Sequence, residues 1–145
     1  MTKYGRMRRR EQGRNVLSAV PSTPYKVPRN CQKHERQVLL TADFYVCEDF
    51  WTYRKRIVSF SIRLYETDSL SQTKNIFRID AARPEPDTHR HRLSPHGDNG
   101  GDKLVLEAIP GDGTGQEFVH SRYHDYFNLV LDVSQGEYER WCSEK

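Results

Sequence analysis

The chain has 145 residues and 17.1 kDa, with 30% charged and 35% hydrophobic residues and a formal net charge of +3. No apolar run approaches the roughly 18 residues of a membrane-spanning helix. Cys31, Cys47 and Cys142 are odd in number and lack C-x-x-C spacing, which excludes a disulfide scaffold and a zinc knuckle and fits a reducing compartment. A single soluble, cytoplasmic domain is expected from these bounds.

Charge is unevenly placed. Residues 1–14, MTKYGRMRRREQGR, hold six of the 23 basic residues and one of the 20 acids, a local balance of +5 that leaves the rest at −2. Such a segment has too few apolar groups for a core and is expected to be disordered when free. Arg6, Arg8, Arg9, Arg10 and Arg14 would release counterions from a nucleic acid, and Tyr4 adds a ring for stacking. Pro21, Pro24 and Pro28 follow, each fixing φ and blocking helix or central strand, so VPSTPYKVP reads as an extended spacer. Residues 1–29 are thus arm and spacer, and 30–145 form one domain.

From Gln37 apolar and polar residues alternate strictly, with Val38, Leu40, Ala42, Phe44 and Val46 on one side, which predicts one half-buried strand. CEDFWTYRK then reads as a loop. Its Phe50, Trp51 and Tyr53 precede Arg54, Lys55 and Arg56, an interleaving that suits base stacking or a protein hot spot. The plainer reading has these rings fold back over a sheet end. A second strand, Ile57 to Tyr65, turns Val58, Phe60, Ile62 and Leu64 inward and Ser59, Ser61, Arg63 and Tyr65 outward. TDSLSQT is a polar turn, KNIFRIDAA a third strand, DTHRHRL a short charged fourth, SPHGDNGGD a glycine-rich loop and KLVLEAI a fifth strand. Connections this short favour antiparallel neighbours.

Thr114 and Glu117 have capping-box spacing, and Val119, Tyr123, Tyr126, Phe127, Val130 and Leu131 form the apolar stripe of an amphipathic helix. Ser134 and Glu137 repeat the signature and predict a second, short helix with Tyr138 and Trp141 on one side. The expectation is an α+β fold, an antiparallel meander of about five strands with C-terminal helices packed on one face. GDGTG and HGDNGGD match neither phosphate-loop pattern, so no nucleotide cofactor is expected.

The chemistry concentrates in RIDAARPEPDTHRHRL. Two registers of this hairpin compete, and a one-residue slip changes the face of every side chain. One sets Asp80 opposite His89 and Arg78 opposite His91, a cluster of acid, bases and cation. The other sets Asp80 opposite Arg90 and Phe77 opposite Leu93, which serves an apolar core better. As an acid–base site, His89 or His91 takes a 2′-hydroxyl proton, Arg78 stabilises phosphate charge and Asp80 orients an imidazole. As an anion site, Arg78, Arg90 and Arg92 hold phosphate. As a metal site, His-x-His needs His96 or Asp80 as a third ligand, and without a firm one no metal is expected. The plain reading is cross-strand charge pairing, worth roughly 0.2–1 kcal/mol per pair.

Arg78, Asp80, His89, His91, the segment Leu106 to Pro110 and Trp141 together resemble an uncharacterised family of small bacterial and bacteriophage proteins, over Ile76 to Trp141. The chain departs from that family at Ala82-Arg83-Pro84, where a histidine or glycine is usual. The histidine-ended hairpin is also similar to TumE-type toxins of toxin–antitoxin pairs, which implies action on RNA. The expected function is a small nucleic-acid-associated protein, with RNA preferred to DNA. Its contacts would come from the arm, Trp51, Arg54, Arg56, Arg90 and Arg92. One alternative is a metal-independent endoribonuclease with Arg78, Asp80, His89 and His91 as its catalytic group. The other is a protein-interaction module using Phe50, Trp51 and Tyr53. No membrane partner is expected.

Overall fold

Strand follows strand in chain order across one antiparallel sheet. The computed structural model describes residues 23–67, 74–96 and 102–145. The strands are β1 (Gln32–Leu39), β2 (Phe44–Tyr53), β3 (Arg56–Glu66), β4 (Lys74–Ala81), β5 (Asp87–Arg92) and β6 (Asp102–Ala108), followed by one helix, α1 (Gly115–Ser143). Among the described residues this is a six-stranded meander with a C-terminal helix, an α+β fold. The arm cations Arg6, Arg8, Arg9, Arg10 and Arg14 lie outside the described residues. No helix among those residues is long and apolar enough to cross a membrane.

The helix covers one face of the sheet, lying against β3 and β4. Phe44, Val46, Phe60, Ile62, Leu64, Phe77 and Ile79 are buried there against Val119, Tyr123, Tyr126, Val130 and Trp141. Each large apolar side chain buried this way contributes about 1.5–3 kcal/mol. The spacer is drawn in as well: Tyr25 donates its hydroxyl hydrogen to the Val58 carbonyl at 2.8 Å, and Tyr25 and Val27 pack against the core.

Three local expectations are corrected. The single strand through Gln37 to Val46 is in fact a hairpin, β1 and β2, with the turn at 40–43. Thr41 organises it, its hydroxyl oxygen accepting from the Asp43 and Phe44 amides at 3.0 and 3.3 Å. Val38 and Val46 pair directly and so share a face. The turn preserves parity, so alternation runs through it without a break.

The aromatic loop is mostly strand β2, and only Arg54 and Lys55 turn, at φ of 50° and 67°. Two positive φ values define the tight hairpin connection that asparagine and glycine usually mark, and Arg-Lys hides that signal.

The two C-terminal helices are one. Buried positions Val119, Tyr123, Tyr126, Val130, Ser134, Glu137 and Trp141 step by three and four without interruption. Ser134 donates to the Leu131 carbonyl at 2.8 Å, and Glu137 accepts from Arg92 and Arg140 at 3.0 and 2.9 Å, so neither caps a new helix. Thr114 is the N-cap residue but makes no side-chain cap bond; its amide donates to Asp112 Oδ1 at 3.0 Å.

Candidate functional site

The β4–β5 register sets Arg78 opposite His91 and Asp80 opposite His89. It also sets Phe77 and Ile79 opposite Arg92 and Arg90 rather than an apolar residue. The covered face tolerates this because long cationic stems lie over apolar surface while their heads reach carboxylates. Arg92 Nη2 reaches Glu137 on α1 at 2.9 Å, and Arg90 Nη2 reaches Asp102 at 2.8 Å.

Side chains alternate across a sheet, so the helix-free face collects the other parity. Asp49 and Trp51 of β2, Ser61 and Arg63 of β3, Arg78 and Asp80 of β4, and His89 and His91 of β5 share it. A pocket of about 780 Å³ opens there, with Lys26, Arg63, Arg78 and Arg83 set against Asp49 and Asp80 in its lining. Arg63 Nη2 lies 2.6 Å from Asp49 Oδ2, and its Nη1 donates to the Tyr65 hydroxyl at 3.2 Å. Tyr65 stacks with Tyr45 across the strands at 5.6 Å and 26°. Arg83 sits 3.8 Å over the Trp51 ring, with Lys33 at 5.6 Å from the same ring. The chain leaves β4 through Ala82 in the left-handed region, φ 58°, a conformation that costs a residue bearing a Cβ roughly 1–2 kcal/mol.

The histidines are held differently. His89 is 1% exposed, with Nδ1 2.9 Å from Asp87 Oδ1 and Nε2 3.4 Å from Asp80 Oδ2 and 3.9 Å from Glu85 Oε1. His91 meets it edge to face at 4.9 Å and is half-buried. Burial, then the positive charge of Arg78, lowers the His91 pKa below its ordinary 6.5, which keeps this ring neutral at neutral pH. Asp80 is 5% exposed; Oδ2 lies 3.1 Å from Arg78 Nε, and Oδ1 is buried with no hydrogen-bond partner. A carboxyl oxygen left so costs about 1–3 kcal/mol or more.

Arg78, Asp80, His89, His91 and Trp51 therefore share one face, while Arg90 and Arg92 point to the other. Arg54 is in the β2–β3 turn, and Arg56 pairs with Glu117 at 3.6 Å at the sheet end. The rings separate too. Phe50 stacks on His34 at 5.0 Å and meets Tyr123 at 5.4 Å on the helix side, whereas Tyr53 packs with Arg54. His96 lies apart, its Nε2 2.8 Å from the Glu144 carbonyl oxygen.

Sequence reasoning did not single out Arg63, Asp49, Lys26 or Arg83, nor Glu85 and Asp87 beside His89. Two signals carried part of this. The outward set Ser59, Ser61, Arg63 and Tyr65 named the face, and Asp-x-His on one strand puts Asp87 and His89 on the same side. No family model, curated protein or solved structure matches this chain, so the chemistry of the face stands on its own residues.

Proposed function

We propose that the chain binds single-stranded RNA across the helix-free face of its sheet. The observation that carries this reading is the interleaving of cations and rings around the pocket: Arg63 beside Tyr65, Arg83 over Trp51, and Lys26 and Arg78 in the wall. Guanidinium groups recognise phosphate, and rings accept unpaired bases whatever their sequence. The four cations outnumber the two carboxylates of the lining, so the pocket favours an anion. The basic arm adds sequence-independent attraction. The resemblance to TumE-type toxins supports RNA over DNA.

Fluorescence anisotropy with a labelled single-stranded RNA, across a salt series, tests it. The Arg63→Ala/Arg83→Ala variant should bind more weakly, with a slope of log affinity against log salt shallower by about 0.7 per lost contact. Trp51→Ala should lose about 1–3 kcal/mol for each base it stacks. Unchanged affinity and slope in all three substitutions would sink the reading.

The register favours a second reading, cleavage of the bound RNA. His91, neutral and accessible, takes the 2′-hydroxyl proton; the 2′ oxygen attacks phosphorus, and the 5′ oxygen leaves with a proton from solvent. Arg78 stabilises the phosphate charge, and His89, buried between Asp80 and Asp87, positions the group. RNA that is cut in the presence of EDTA by the native protein but not by His91→Ala would support this. Cleavage unaffected by His91→Ala would refute it.

A further inference from the structure

We propose that Asp80, His89 and His91 form a binding site for a divalent metal ion of the zinc–cobalt class. One ligand atom from each residue lies within 4.8 Å of the others. The best-defined edge, Asp80 Oδ2 to His89 Nε2, is 3.4 Å. Two ligands at about 2.0–2.1 Å from a tetrahedral ion stand roughly this far apart. That separation is too long for a strong hydrogen bond, and the pair makes none.

The hydrogen bond behind the ring bears on the same point. Asp87 Oδ1 lies 2.9 Å from His89 Nδ1. An ionised carboxylate can only accept, so Nδ1 carries the hydrogen. In the neutral ring, Nε2 then turns a lone pair toward Asp80 and Glu85, with His89 and Asp80 themselves buried at the edge of the pocket. A cation placed between them would meet the Nε2 lone pair and the Asp80 carboxylate at once. Asp80 Oδ1, buried with no hydrogen-bond partner, is a further oxygen of the same carboxylate free to meet a cation. A metal ion draws on Nε2, the Asp80 carboxylate and His91 together.

The surrounding groups fit the same reading. A carboxylate behind the second ring nitrogen is the usual support of a metal-bound histidine, fixing its tautomer and raising its basicity. Asp87 occupies that place. Asp80 also lines the pocket, so a fourth coordination position would open toward it. Glu85, Asp87 and His89 form an overlapping acidic group. Asp87 is committed to Nδ1 there, and Glu85 pairs with Lys103 at 3.6 Å, which leaves the Asp80 set the better donor group. Imidazole with carboxylate suits zinc, cobalt, nickel and iron rather than calcium or magnesium. The opposing charge is Arg78, 3.1 Å from Asp80 Oδ2.

This inference goes beyond RNA binding and does not depend on it. It excludes the proton-transfer role of His91 while an ion is bound, because the lone pair would be taken.

The test is titration of the full-length protein with cobalt(II), read by its visible absorption, and zinc(II), read by calorimetry. One ion per chain should bind, with the visible bands of a four-coordinate nitrogen–oxygen site. Asp80→Asn and His91→Gln should abolish the bands, and Asp87→Asn should weaken binding about 10–100-fold through the tautomer of His89. Arg78→Ala should tighten metal binding while weakening RNA binding, which separates failure of this inference from failure of the RNA reading. His89→Gln is the variant most exposed to misfolding, so circular dichroism accompanies each protein and the other substitutions decide the outcome. Absence of stoichiometric binding by the folded native protein would overturn the proposal. So would binding that Asp80→Asn and His91→Gln leave unchanged.

Discussion

Glu48 shows how much one buried charge asks of its neighbours. It is fully buried on the helix side of the sheet, yet Arg36 donates to it from Nε at 2.7 Å and Nη2 at 3.0 Å. The Tyr123 hydroxyl of α1 donates to its Oε1. A buried carboxylate is stable only while its oxygens are satisfied. Tyr123 is itself changed by the contact, its pKa raised by burial and then by the bond to Glu48. Tyr123→Phe keeps the ring against Phe50 and Phe60 and deletes one donor. It should destabilise by about 1–3 kcal/mol in urea unfolding, the cost of a buried acceptor left short. Nothing in CEDFW advertised this, because a glutamate a few residues from a tryptophan is as ordinary in a loop as in a strand. Its partners come from the neighbouring strand, Arg36, and from Tyr123, 75 residues away in sequence.

At the scale of the element, α1 tests what capping signals can decide. Ser134-Gln135-Gly136-Glu137 has the composition of a helix start, but the buried stripe passes through it and the backbone stays helical. Tertiary packing of the stripe outweighs a local preference worth about 1 kcal/mol. A Cβ added at Gly136 would meet nothing within 4 Å. Gly136→Ala should therefore stabilise by about 0.5–1 kcal/mol, seen as a higher Tm, because alanine loses less backbone freedom in a helix interior. A fall in Tm would argue for a break at this point. The strands give the complementary lesson. Alternation placed Phe60 and Ile62 inward and Arg63 outward, but it could not show the turn at 40–43, which conserves parity.

For the whole molecule, charge pairs between sheet and helix set the pH range of the fold. Arg122 of α1 donates to Glu107 of β6 through Nε at 2.8 Å and Nη2 at 3.0 Å, and this contact lowers the Glu107 pKa from 4.5. A depressed carboxyl contributes stability that is present above its ordinary value and lost as pH falls through the folded one. Tyr126 runs the other way. Burial raises it from 10.0 to about 12, so its contribution is present below 10 and lost as pH rises toward 12. Unfolding midpoints measured against pH should form a plateau between these limits. Glu107→Gln should make the acid limb shallower, and Tyr126→Phe the alkaline limb. Limbs that keep their native slopes would show that these two groups do not govern them.

The amino-acid sequence by itself determined the α+β class, the inward and outward sets of β3, the start of α1 and the hairpin that brings Arg78, Asp80, His89 and His91 near one another. These follow from periodicity and spacing within a few residues, which a single segment carries alone. Tertiary structure decided the register of that hairpin, the length of α1 and which face stays open. In the sequence the apolar needs of Phe77 and Ile79 argued against the register that forms, because Arg90 and Arg92 look like poor partners for a core. The fold reverses that judgment by supplying Glu137 from the helix and Asp102 from the neighbouring strand. Register is a property of pairs of segments. Its energy depends on whatever covers the pair, and no local pattern contains that.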